Sequence, residues 1–279
     1  MQQTTPKIDT YAVIGNPIAH SKSPLIHTAF AKQTHQKIHY ERILAPLEGF
    51  SSTVENLIAR GYKGVNITVP FKFEAYNICQ THTERAIMAG AANTLSFDNN
   101  IITGDNTDGV GLVRDIEQNI GYMIKGKRLL LLGAGGAAQG VLQPLIAAKP
   151  SHITIANRNL DKAQAMITQL TSQQKTCAIT SQNFASLLDP FDIIINATSV
   201  GLSDTTLPIA DTLFNSNTLA YDMMYGRETL FMAQARKNGA QVADGLGMLV
   251  EQAAEAFYIW RAIRPATHSI MQMIRTSTC

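Results

Sequence analysis

The most constraining feature of the chain is a run of four leucines, residues 129–132, followed at once by a glycine-rich segment, residues 133–138. A short, continuous apolar run is typical of a strand buried on both faces, as in a parallel sheet. The glycines predict a tight turn, and the small residues after them allow a helix to begin. Free N–H groups and the helix dipole at such a start can hold a pyrophosphate, so the segment indicates a dinucleotide site. An ordinary strand-to-helix turn is the alternative interpretation of the glycines.

The next apolar run indicates which dinucleotide would bind. Residues 152–156 predict a second buried strand, which ends in Asn157, Arg158 and Asn159. An NAD site usually has a carboxylate about 20 residues further on, where it accepts hydrogen bonds from the ribose 2′-hydroxyl. This chain has Arg158 there instead, and a planar guanidinium suits a 2′-phosphate. The sequence therefore favours NADP over NAD as the cofactor.

The composition predicts a soluble globular protein. Charged residues make up 16% of the 279 residues, and the net charge of +2 gives no sign of a nucleic-acid or membrane surface. No apolar run approaches the ~18 residues of a membrane span, and the polar start of the chain lacks the apolar core of a signal peptide. The three cysteines are far apart, which favours a reducing compartment. We therefore expect a cytoplasmic protein with no nucleic-acid or membrane partner. The sequence does not fix the oligomeric state, and monomer and homodimer both stay open.

The order of the predicted elements indicates an α/β fold with two domains. Up to residue 109, short strands and helices alternate around polar loops, and from residue 127 the alternation is that of a doubly wound parallel sheet. We place an N-terminal α/β substrate domain at residues 1–109 and a Rossmann-like NADP-binding domain at residues 110–245. Residues 246–279 are expected to form a C-terminal helical segment that packs back on the first domain.

Local signals predict where several elements begin and end. Ser23 before Pro24 predicts a helix whose N-cap is the Ser23 hydroxyl. A strand is expected over residues 64–69, stopped by Pro70, and a helical region is expected from there to about Ala89. Further helices are expected over residues 110–119 and 248–263.

Polar clusters fall at the ends of the predicted strands of the first domain. Ser21 and Ser23 lie at a helix start, where the dipole and exposed N–H groups favour an anion, although simple N-capping is the alternative. Asn66 and Thr68 lie on one side of a strand because successive side chains alternate, and Lys72 follows just beyond the strand. A lone lysine in a loop is more often a solvated charge, so this cluster by itself leaves both interpretations open.

Two more clusters follow along the chain. Asn93 and Thr94 come after two alanines and alone indicate no more than a turn. Residues 105–109, which include Asp108, superficially resemble a calcium loop, but the acidic spacing is wrong and the required glutamate is absent. The seven histidines show no HExxH or other ligand spacing. We therefore expect no metal site.

The predicted cofactor requires a proton-transferring group. When a hydride leaves the carbon of a secondary alcohol, a nearby group must take the hydroxyl proton, and in reverse it must give the proton back. A lysine can do this when burial and a neighbouring carboxylate set its pKa. Lys72 and Asp108 are the candidates that the sequence offers, and sequence alone does not show that they meet.

With these residues in view, the chain resembles the shikimate dehydrogenase family, with motifs in the expected order from Tyr11 to about Trp260. The motifs similar to its substrate domain are Gly15-Asn-Pro-Ile-Ala-His-Ser-Lys-Ser-Pro24, Asn66-Ile-Thr-Val-Pro-Phe-Lys72, Ala92-Asn-Thr-Leu95 and Gly104-Asp-Asn-Thr-Asp-Gly-Val-Gly111. The motifs similar to its cofactor domain are Gly133 to Ala138, Asn157-Arg158, Asn196-Ala-Thr-Ser-Val-Gly201, Tyr221-Asp-Met-Met-Tyr225 and Ala243-Asp-Gly-Leu-Gly-Met248. One short motif can occur by chance, but the ordered set is highly specific.

The resemblance implies NADPH-dependent reduction of 3-dehydroshikimate to shikimate, and the reverse reaction, in aromatic amino-acid biosynthesis. It implies that Ser21 and Ser23 hold the carboxylate of shikimate, and that Lys72 is the acid/base with Asp108 as its partner. The residues implied to hold the ring hydroxyls are Asn66, Thr68, Lys72, Asn93, Asp108 and Gln252, with Tyr225 closing the site.

The resemblance also implies a set of cofactor contacts. These are Glu84, Gly133, Ala134, Gly135, Gly136, Ala137, Asn157, Arg158, Asn159, Lys162, Met223, Gly245 and Met248. The glycine turn would take the pyrophosphate and Arg158 the 2′-phosphate. Met223, Gly245 and Met248 would lie near the nicotinamide.

Small departures from the family pattern keep alternatives open. Asn159 stands where many relatives have threonine, and Lys162 stands where some have a second arginine. Both differences could weaken binding of the 2′-phosphate. One alternative is a relative that also oxidises quinate or prefers NAD; Arg158 counts against NAD, and Ser21 counts against quinate. Another is a non-catalytic Rossmann module that binds cofactor or shikimate as a sensor. The lysine and aspartate in their full motifs count against it, since a pure binder needs no acid/base.

Overall fold

A computed structural model describes residues 8–171, 175–198 and 206–276, and the chain divides into two compact units. The first unit runs to Thr107 and resumes at Gln252, whereas the second runs from Asp108 to Glu251. The chain therefore leaves the first unit once and returns to it near its end. Three parts named above lie outside the described residues: the first seven residues, residues 199–201 of the motif that starts at Asn196, and Cys279.

The first unit contains a mixed six-stranded sheet. Its strands are β1 (Asp9–Gly15), β2 (Ile38–Leu44), β3 (Gly64–Ile67), β4 (Thr81–His82), β5 (Thr94–Asp98) and β6 (Ile101–Asp105), in the spatial order β2-β1-β3-β5-β6-β4. β1 pairs in parallel with β2 and β3, whereas β5 is antiparallel to both β3 and β6. The carboxyl ends of β1, β2 and β3 therefore meet at one edge, and the loops that begin there carry the polar clusters.

Alternating side chains give this sheet an apolar core on each face. Ala12 and Ile14 of β1 pack with Phe50 on one face. Tyr11 points to the other face, where its ring stacks on Trp260 with 4.6 Å between the centroids. The strand period of two thus places neighbouring residues of β1 in different cores.

The second unit contains a parallel six-stranded sheet. Its strands are β7 (Arg128–Leu132), β8 (His152–Ala156), β9 (Ala178–Gln182), β10 (Ile193–Asn196), β11 (Leu219–Asp222) and β12 (Gln241–Ala243), in the order β12-β11-β10-β7-β8-β9. Leu129 and Leu131 belong to one buried cluster, and Leu130 and Leu132 belong to the other. Both faces of β7 are covered, as the leucine run predicts. The expected α/β class, with a Rossmann-like sheet in the second half, is confirmed.

Helices connect the strands of both sheets. In chain order they are α1 (Ser23–Gln33), α2 (Phe50–Ala59), α3 (Lys72–Asn77), α4 (Glu84–Ala89), α5 (Asp108–Arg114), α6 (Gly136–Ala147), α7 (Leu160–Thr168), α8 (Leu230–Lys237), α9 (Leu246–Arg261) and α10 (His268–Thr276). A π-helical turn, Asp115–Asn119, follows α5, and short 3₁₀ turns lie at Phe184–Ser186 and Asp211–Leu213. The chain passes from the second unit back to the first within α9.

Two of the local expectations in the first unit are wrong. Ser23 is the first helical residue of α1 rather than its N-cap, because Lys22 occupies the N-cap position, and the side chain of Lys22 makes no capping hydrogen bond. The helical region expected to run to Ala89 is two short helices, α3 and α4. They are separated by β4, which pairs with β6, and the Thr83 hydroxyl starts the second helix by accepting from the Ala86 N–H.

Three boundaries differ from expectation as well. β3 ends at Ile67 rather than residue 69, because residues 69 and 70 already form a turn; the Thr68 N–H still donates to the Ile14 carbonyl at 2.9 Å. The helix expected over residues 110–119 begins at Asp108 and changes to a π-helical turn at Asp115. The helix expected over residues 248–263 runs from Leu246 to Arg261.

The described residues contain neither a membrane-spanning helix nor a metal-binding cluster. None of their helices is both long and apolar enough to cross a bilayer. The same residues contain no group of three or more His, Cys, Asp or Glu side chains that could hold a metal ion.

Candidate active site

The loop between β1 and α1 presents two neighbouring hydroxyls. The Ser21 Oγ lies 3.2 Å from the Ser23 Oγ, and it accepts a hydrogen bond of 3.3 Å from the Ser23 N–H. Ser23 is buried at the start of α1, and Ser21 is half-buried. The Arg42 guanidinium donates from Nε and Nη2 to the carbonyl oxygen of Ser21 at 2.9 and 2.6 Å. The loop therefore places hydroxyls, a helix start and a cation close together, a combination that suits an anion.

Asn66 is buried at the middle of the first sheet and its amide is held in one orientation. The Tyr40 hydroxyl donates to Asn66 Oδ1 at 2.7 Å. Asn66 Nδ2 donates to the carbonyl oxygen of Asn93 at 3.3 Å and to Thr94 Oγ1 at 3.1 Å. Both amide hydrogens are thereby used within the protein. A ligand hydroxyl can bond to Asn66 only by donating to Oδ1.

Asn93 is the centre of a second set of buried bonds. Its Oδ1 accepts from the Thr94 hydroxyl at 2.9 Å and from the Thr107 N–H at 2.9 Å. Its Nδ2 donates to Thr107 Oγ1 at 3.0 Å and, more weakly, to Gln252 Oε1 at 3.5 Å. Three predicted ring-hydroxyl residues are thus joined in what we term the amide network. Its members are Tyr40, Asn66, Asn93, Thr94, Thr107 and Gln252.

Three members of the amide network carry no predicted role: Tyr40, Thr94 and Thr107. Thr94 and Thr107 lie inside motifs that the sequence marks, next to Asn93 and Asp108, so their position was a usable signal. Tyr40 has no such signal, because it lies on a different strand, 26 residues before Asn66. Sequence reasoning alone does not give the register that brings them together.

Thr68 and Lys72 follow the end of β3. The Phe71 N–H donates to the Thr68 carbonyl at 3.1 Å and closes the turn, and Lys72 is the half-buried first residue of α3. The Lys72 carbonyl accepts from the Ala92 N–H at 2.9 Å, which ties the start of α3 to the segment that carries Asn93. The structure therefore brings the backbone of Lys72 close to the amide network.

The turn that leads to Thr107 is fixed by a partly buried ion cluster. Asp105 accepts from the Thr83 hydroxyl at 2.7 Å, from Arg85 Nε at 3.0 Å and from Arg85 Nη2 at 2.6 Å. Arg85 Nη1 also donates to Glu255 at 2.8 Å, and Glu255 contacts Arg264. Burial raises the pKa of Glu255, but the two guanidinium groups outweigh this effect and leave the pKa below its usual value. Asp105 is a supporting residue that sequence reasoning missed.

In the second unit, the glycine turn fits a dinucleotide pyrophosphate. Gly133 has a φ of +108°, a conformation that favours glycine. No heavy atom lies within 4 Å of the place that a Cβ on Gly135 would occupy, so the space beside the start of α6 is open. Ala137 and Gly136 are exposed there, and Ala134 is half-buried. The unpaired N–H groups of the first turn of α6 can therefore receive an anion.

The residues after β8 fit a phosphate on the ribose. Asn157 Nδ2 donates to the Asn159 carbonyl at 2.8 Å, and Asn159 Oδ1 caps α7 by accepting from the Lys162 N–H at 3.3 Å. Arg158 and Lys162 are exposed, and within the part of the chain that the structure describes neither has an ion pair with a carboxylate. Two cations whose charge no carboxylate balances suit a 2′-phosphate better than a neutral hydroxyl.

Met223 and Gly245, both expected near the nicotinamide, lie together. A Cβ on Gly245 would lie 2.2 Å from the Met223 carbonyl oxygen, so only glycine fits there. Buried Asp222 holds this loop by accepting from the Met224 N–H at 2.9 Å and from the Thr229 hydroxyl at 2.6 Å. Tyr225, further along the same loop, is half-buried, and burial raises the pKa of its hydroxyl.

Met248 lies in the first turn of α9, and this turn packs against the π-helical turn Asp115–Asn119. The Tyr221 hydroxyl donates to Asp115 Oδ2 at 2.7 Å, and Asn119 Nδ2 donates to Asp115 Oδ1 at 2.9 Å. A Cβ on Gly247 would lie 1.8 Å from Asp115 Oδ1, so the carboxylate packs directly against the helix backbone. Burial raises the pKa of Asp115, with nearby acidic groups adding to the effect and its hydrogen bonds opposing it.

The remaining predicted residues are divided between the units. Lys72 begins α3 in the first unit, and Asp108 begins α5 as the first residue of the second unit. Glu84 is the exposed first residue of α4, in the first unit, whereas all other cofactor candidates belong to the second. The substrate candidates other than Asp108 and Tyr225 all belong to the first unit.

The chain is similar to known proteins over nearly its whole length. The model of the shikimate dehydrogenase substrate binding domain matches residues 13–95, that of shikimate / quinate 5-dehydrogenase matches residues 115–205, and that of the shikimate 5′-dehydrogenase C-terminal domain matches residues 245–274. Shikimate dehydrogenase (NADP(+)) of Methylobacillus flagellatus is 57% identical over 272 residues, which cover 97% of this chain and 100% of that relative.

Two solved structures are also similar over nearly the whole chain. The Ael1 enzyme from Pseudomonas putida has a TM-score of 0.90 and 43% identity, covering 95% of this chain and 97% of that one. A shikimate dehydrogenase in complex with NADP+ has a TM-score of 0.88 and 30% identity, covering 99% and 97%. Fold and site together define an α/β oxidoreductase with a substrate domain and a Rossmann-like NADP-binding domain. The chain belongs to the shikimate dehydrogenase family.

Proposed function

We propose that this chain catalyses the reversible NADPH-dependent reduction of 3-dehydroshikimate to shikimate, a step of aromatic amino-acid biosynthesis. The amide network is the observation that carries the proposal. It presents several fixed polar groups from one buried cluster, which suits a small ring with more than one hydroxyl. The glycine turn and the unbalanced charge of Arg158 support NADP as the second ligand.

Each polar group of the substrate has a candidate partner. The Ser21 and Ser23 hydroxyls would hold the carboxylate at the start of α1. Asn66 would accept from a ring hydroxyl through Oδ1, since both of its amide hydrogens are used elsewhere. The other groups proposed to contact the ring are Thr68, Lys72, Asn93, Asp108, Gln252 and Tyr225.

The acid/base is proposed to be Lys72, with Asp108 as its partner. In the direction of oxidation, the Lys72 amine takes the hydroxyl proton as the ring carbon loses its hydride, and in reduction the ammonium returns that proton to the carbonyl oxygen. Bound NADP(H) would accept or supply the hydride. Asp108 would stabilise the ammonium form of Lys72 and hold it beside the reacting oxygen.

The cofactor is proposed to bind along the carboxyl edge of the second sheet. The turn at residues 133–137 would hold the pyrophosphate, and Arg158 would hold the 2′-phosphate together with Lys162. Asn157 and Asn159 shape that loop, and Glu84 is proposed as one further contact. Met223, Gly245 and Met248 would border the nicotinamide.

The domain bounds, the cellular compartment and the oligomeric state are part of the same proposal. We place the substrate domain at residues 1–109 and the NADP-binding domain at 110–245, with residues 246–279 returning to the first domain. The protein is proposed to act in the cytoplasm as a monomer or homodimer.

The test is a set of initial rates, followed by the absorbance of the reduced nicotinamide, with shikimate and quinate each paired with NADP+ and NAD+. We expect strong activity with shikimate and NADP+ only. Comparable rates with quinate or NAD+ would instead define a broader dehydrogenase. No rate in any pairing would contradict the proposal and favour a binding module.

A further inference from the structure

One face of strand β2 supports two parts of the substrate site at once. Tyr40 and Arg42 are two residues apart, so their side chains leave the strand on the same face. Tyr40 bonds to the Asn66 side chain at 2.7 Å, and Arg42 bonds twice to the carbonyl oxygen of Ser21, at 2.9 and 2.6 Å. The strand thereby links the buried amide network to the loop that carries the two serines.

The charge of Arg42 is held in place but is not neutralised. Two hydrogen bonds from one guanidinium to one carbonyl restrict a long side chain that would otherwise sample many rotamers. Within the described residues, no carboxylate forms an ion pair with Arg42. A fixed positive charge therefore lies beside the neutral hydroxyls of Ser21 and Ser23.

An anion bound at these hydroxyls would need such a charge. Two hydroxyls replace only part of the hydration that a carboxylate loses on binding, and a helix start contributes only a partial charge. A full positive charge next to Ser21 favours the ionised form over a neutral analogue of the same shape. Lys22 is the neighbouring cation on this loop, but no hydrogen bond from its ammonium group to the loop is described.

We propose that Arg42 is a specificity-determining residue that selects an ionised carboxylate at the Ser21 and Ser23 hydroxyls. This inference rests on the proposed function, because it takes the shikimate carboxylate as the group that these serines hold. Arg42 contributes in two ways: its bonds fix the Ser21 carbonyl, and its charge attracts the anion. The second contribution distinguishes the proposal from a purely structural role.

The experiment compares binding of shikimate and of its uncharged methyl ester to the full chain, by calorimetry, with KM measured for both. We expect Arg42→Gln to weaken shikimate binding about tenfold more than ester binding, because only the ionised acid loses the attraction of a nearby positive charge. Arg42→Lys should recover part of the affinity because it keeps the charge. The KM of the wild type for shikimate should rise with salt, and the Arg42→Gln variant should respond less.

Two matched variants serve as controls. Arg60→Gln removes one exposed positive charge at the C-cap of α2, where the guanidinium lies over the Tyr62 ring at 5.2 Å. It should leave binding of both ligands unchanged. Lys22→Gln removes the other cation of the serine loop, and its effect should be smaller than that of Arg42→Gln.

Several results would overturn the inference. Equal weakening of acid and ester in Arg42→Gln would mean that Arg42 only shapes the loop, and no weakening of either would remove it from the site. A larger effect of Lys22→Gln would assign the charge to Lys22. If the wild type turns over shikimate with NADP+, the proposed function holds and these outcomes bear on Arg42 alone. If the wild type does not bind shikimate, both the proposed function and the inference about Arg42 are contradicted.

Discussion

The hydroxyl of Tyr40 donates to Asn66 Oδ1 at 2.7 Å and, together with the Asn93 carbonyl that accepts from Nδ2, fixes which way round the Asn66 amide lies. The opposite orientation would put an N–H against the Tyr40 hydroxyl and leave a carbonyl facing the Asn93 carbonyl oxygen. Because that arrangement is unfavourable, Asn66 is held as an acceptor towards any ligand. The strand that carries Tyr40 therefore influences how a ring hydroxyl is recognised.

Tyr40→Phe should make the orientation of the Asn66 amide less fixed. We expect the variant to fold, to lose about 1–2 kcal/mol of stability, and to raise the KM for shikimate several-fold while the KM for NADP+ stays the same. Kinetics with each substrate varied in turn, together with thermal unfolding, would measure both effects. Tyr62→Phe is the matched control, because it also removes a hydroxyl that bonds to a side chain of β2, that of Glu41. An unchanged KM for shikimate in Tyr40→Phe would mean that Asn66 is oriented without Tyr40.

Lys72→Ala should remove the acid/base. We expect kcat to fall by about a hundredfold to ten-thousandfold, with little change in the KM for shikimate, because proton transfer acts mainly in the transition state. Steady-state kinetics in the oxidative direction would show the split. Lys63→Ala, which removes an exposed lysine of the same unit, should have no such effect. A near-normal kcat in Lys72→Ala would contradict the assignment.

Ser21→Ala should show the reverse pattern. Loss of one hydroxyl from the proposed carboxylate site is expected to raise the KM for shikimate about tenfold and to leave kcat largely unchanged. The same assays would measure it, with Ser52→Ala as an exposed serine control in α2. A fall in kcat with an unchanged KM would place Ser21 in the chemical step instead.

Arg158→Gln should reduce the preference for NADP. The dissociation constant of NADPH, measured by its fluorescence on binding, is expected to rise at least tenfold because a charge-assisted bond to the phosphate is lost. Binding of NADH should hardly change. Lys237→Gln, at the exposed end of α8, provides a control for the change in net charge. Equal weakening of NADPH and NADH binding would show that Arg158 does not recognise the 2′-phosphate.

His27 should make stability depend on pH. Its imidazole is fully buried and stacks on Tyr40 at 4.1 Å between centroids, and burial lowers the pKa of His27 to about 3. The unfolded chain has the ordinary histidine pKa near 6.5, so the contribution of neutral His27 is present above that pH and is lost as pH falls towards 3.

Unfolding by urea at pH 6.5 and at pH 5 would measure this effect. A single histidine of this kind should lower the free energy of unfolding by about 2 kcal/mol over that interval. His27→Gln should show a smaller decrease over the same interval. A wild type and a variant with parallel pH profiles would mean that His27 is protonated in the folded protein.

The sequence predicted those features that depend on neighbouring residues. The leucines at 129–132 and the glycines after them specify a buried strand and a tight turn by their own chemistry, and both are found. Asn66 and Asn93 could be proposed as site residues because each lies in a distinctive motif. Their hydrogen bonds to each other could not, because these depend on how β3 and β5 pair.

The features that sequence reasoning missed depend on contacts between distant segments. Tyr40 and Arg42 lie in β2, and their partners are 26 and 21 residues away. Ser23 was assigned to the N-cap on a local preference, but the loop places Lys22 there. The pairing of Lys72 with Asp108 stays a prediction.

The contact between Asp115 and Gly247 limits how this protein can vary. A methyl group at residue 247 would occupy the space of the Asp115 carboxylate, 1.8 Å from Oδ1. A shorter side chain at residue 115 would make room for that methyl group but would lose the hydrogen bond that Asp115 accepts from the Tyr221 hydroxyl. The effect of a substitution at one position therefore depends on the residue at the other. The two positions show epistasis, and an engineered or evolved variant of this helix start must change them together.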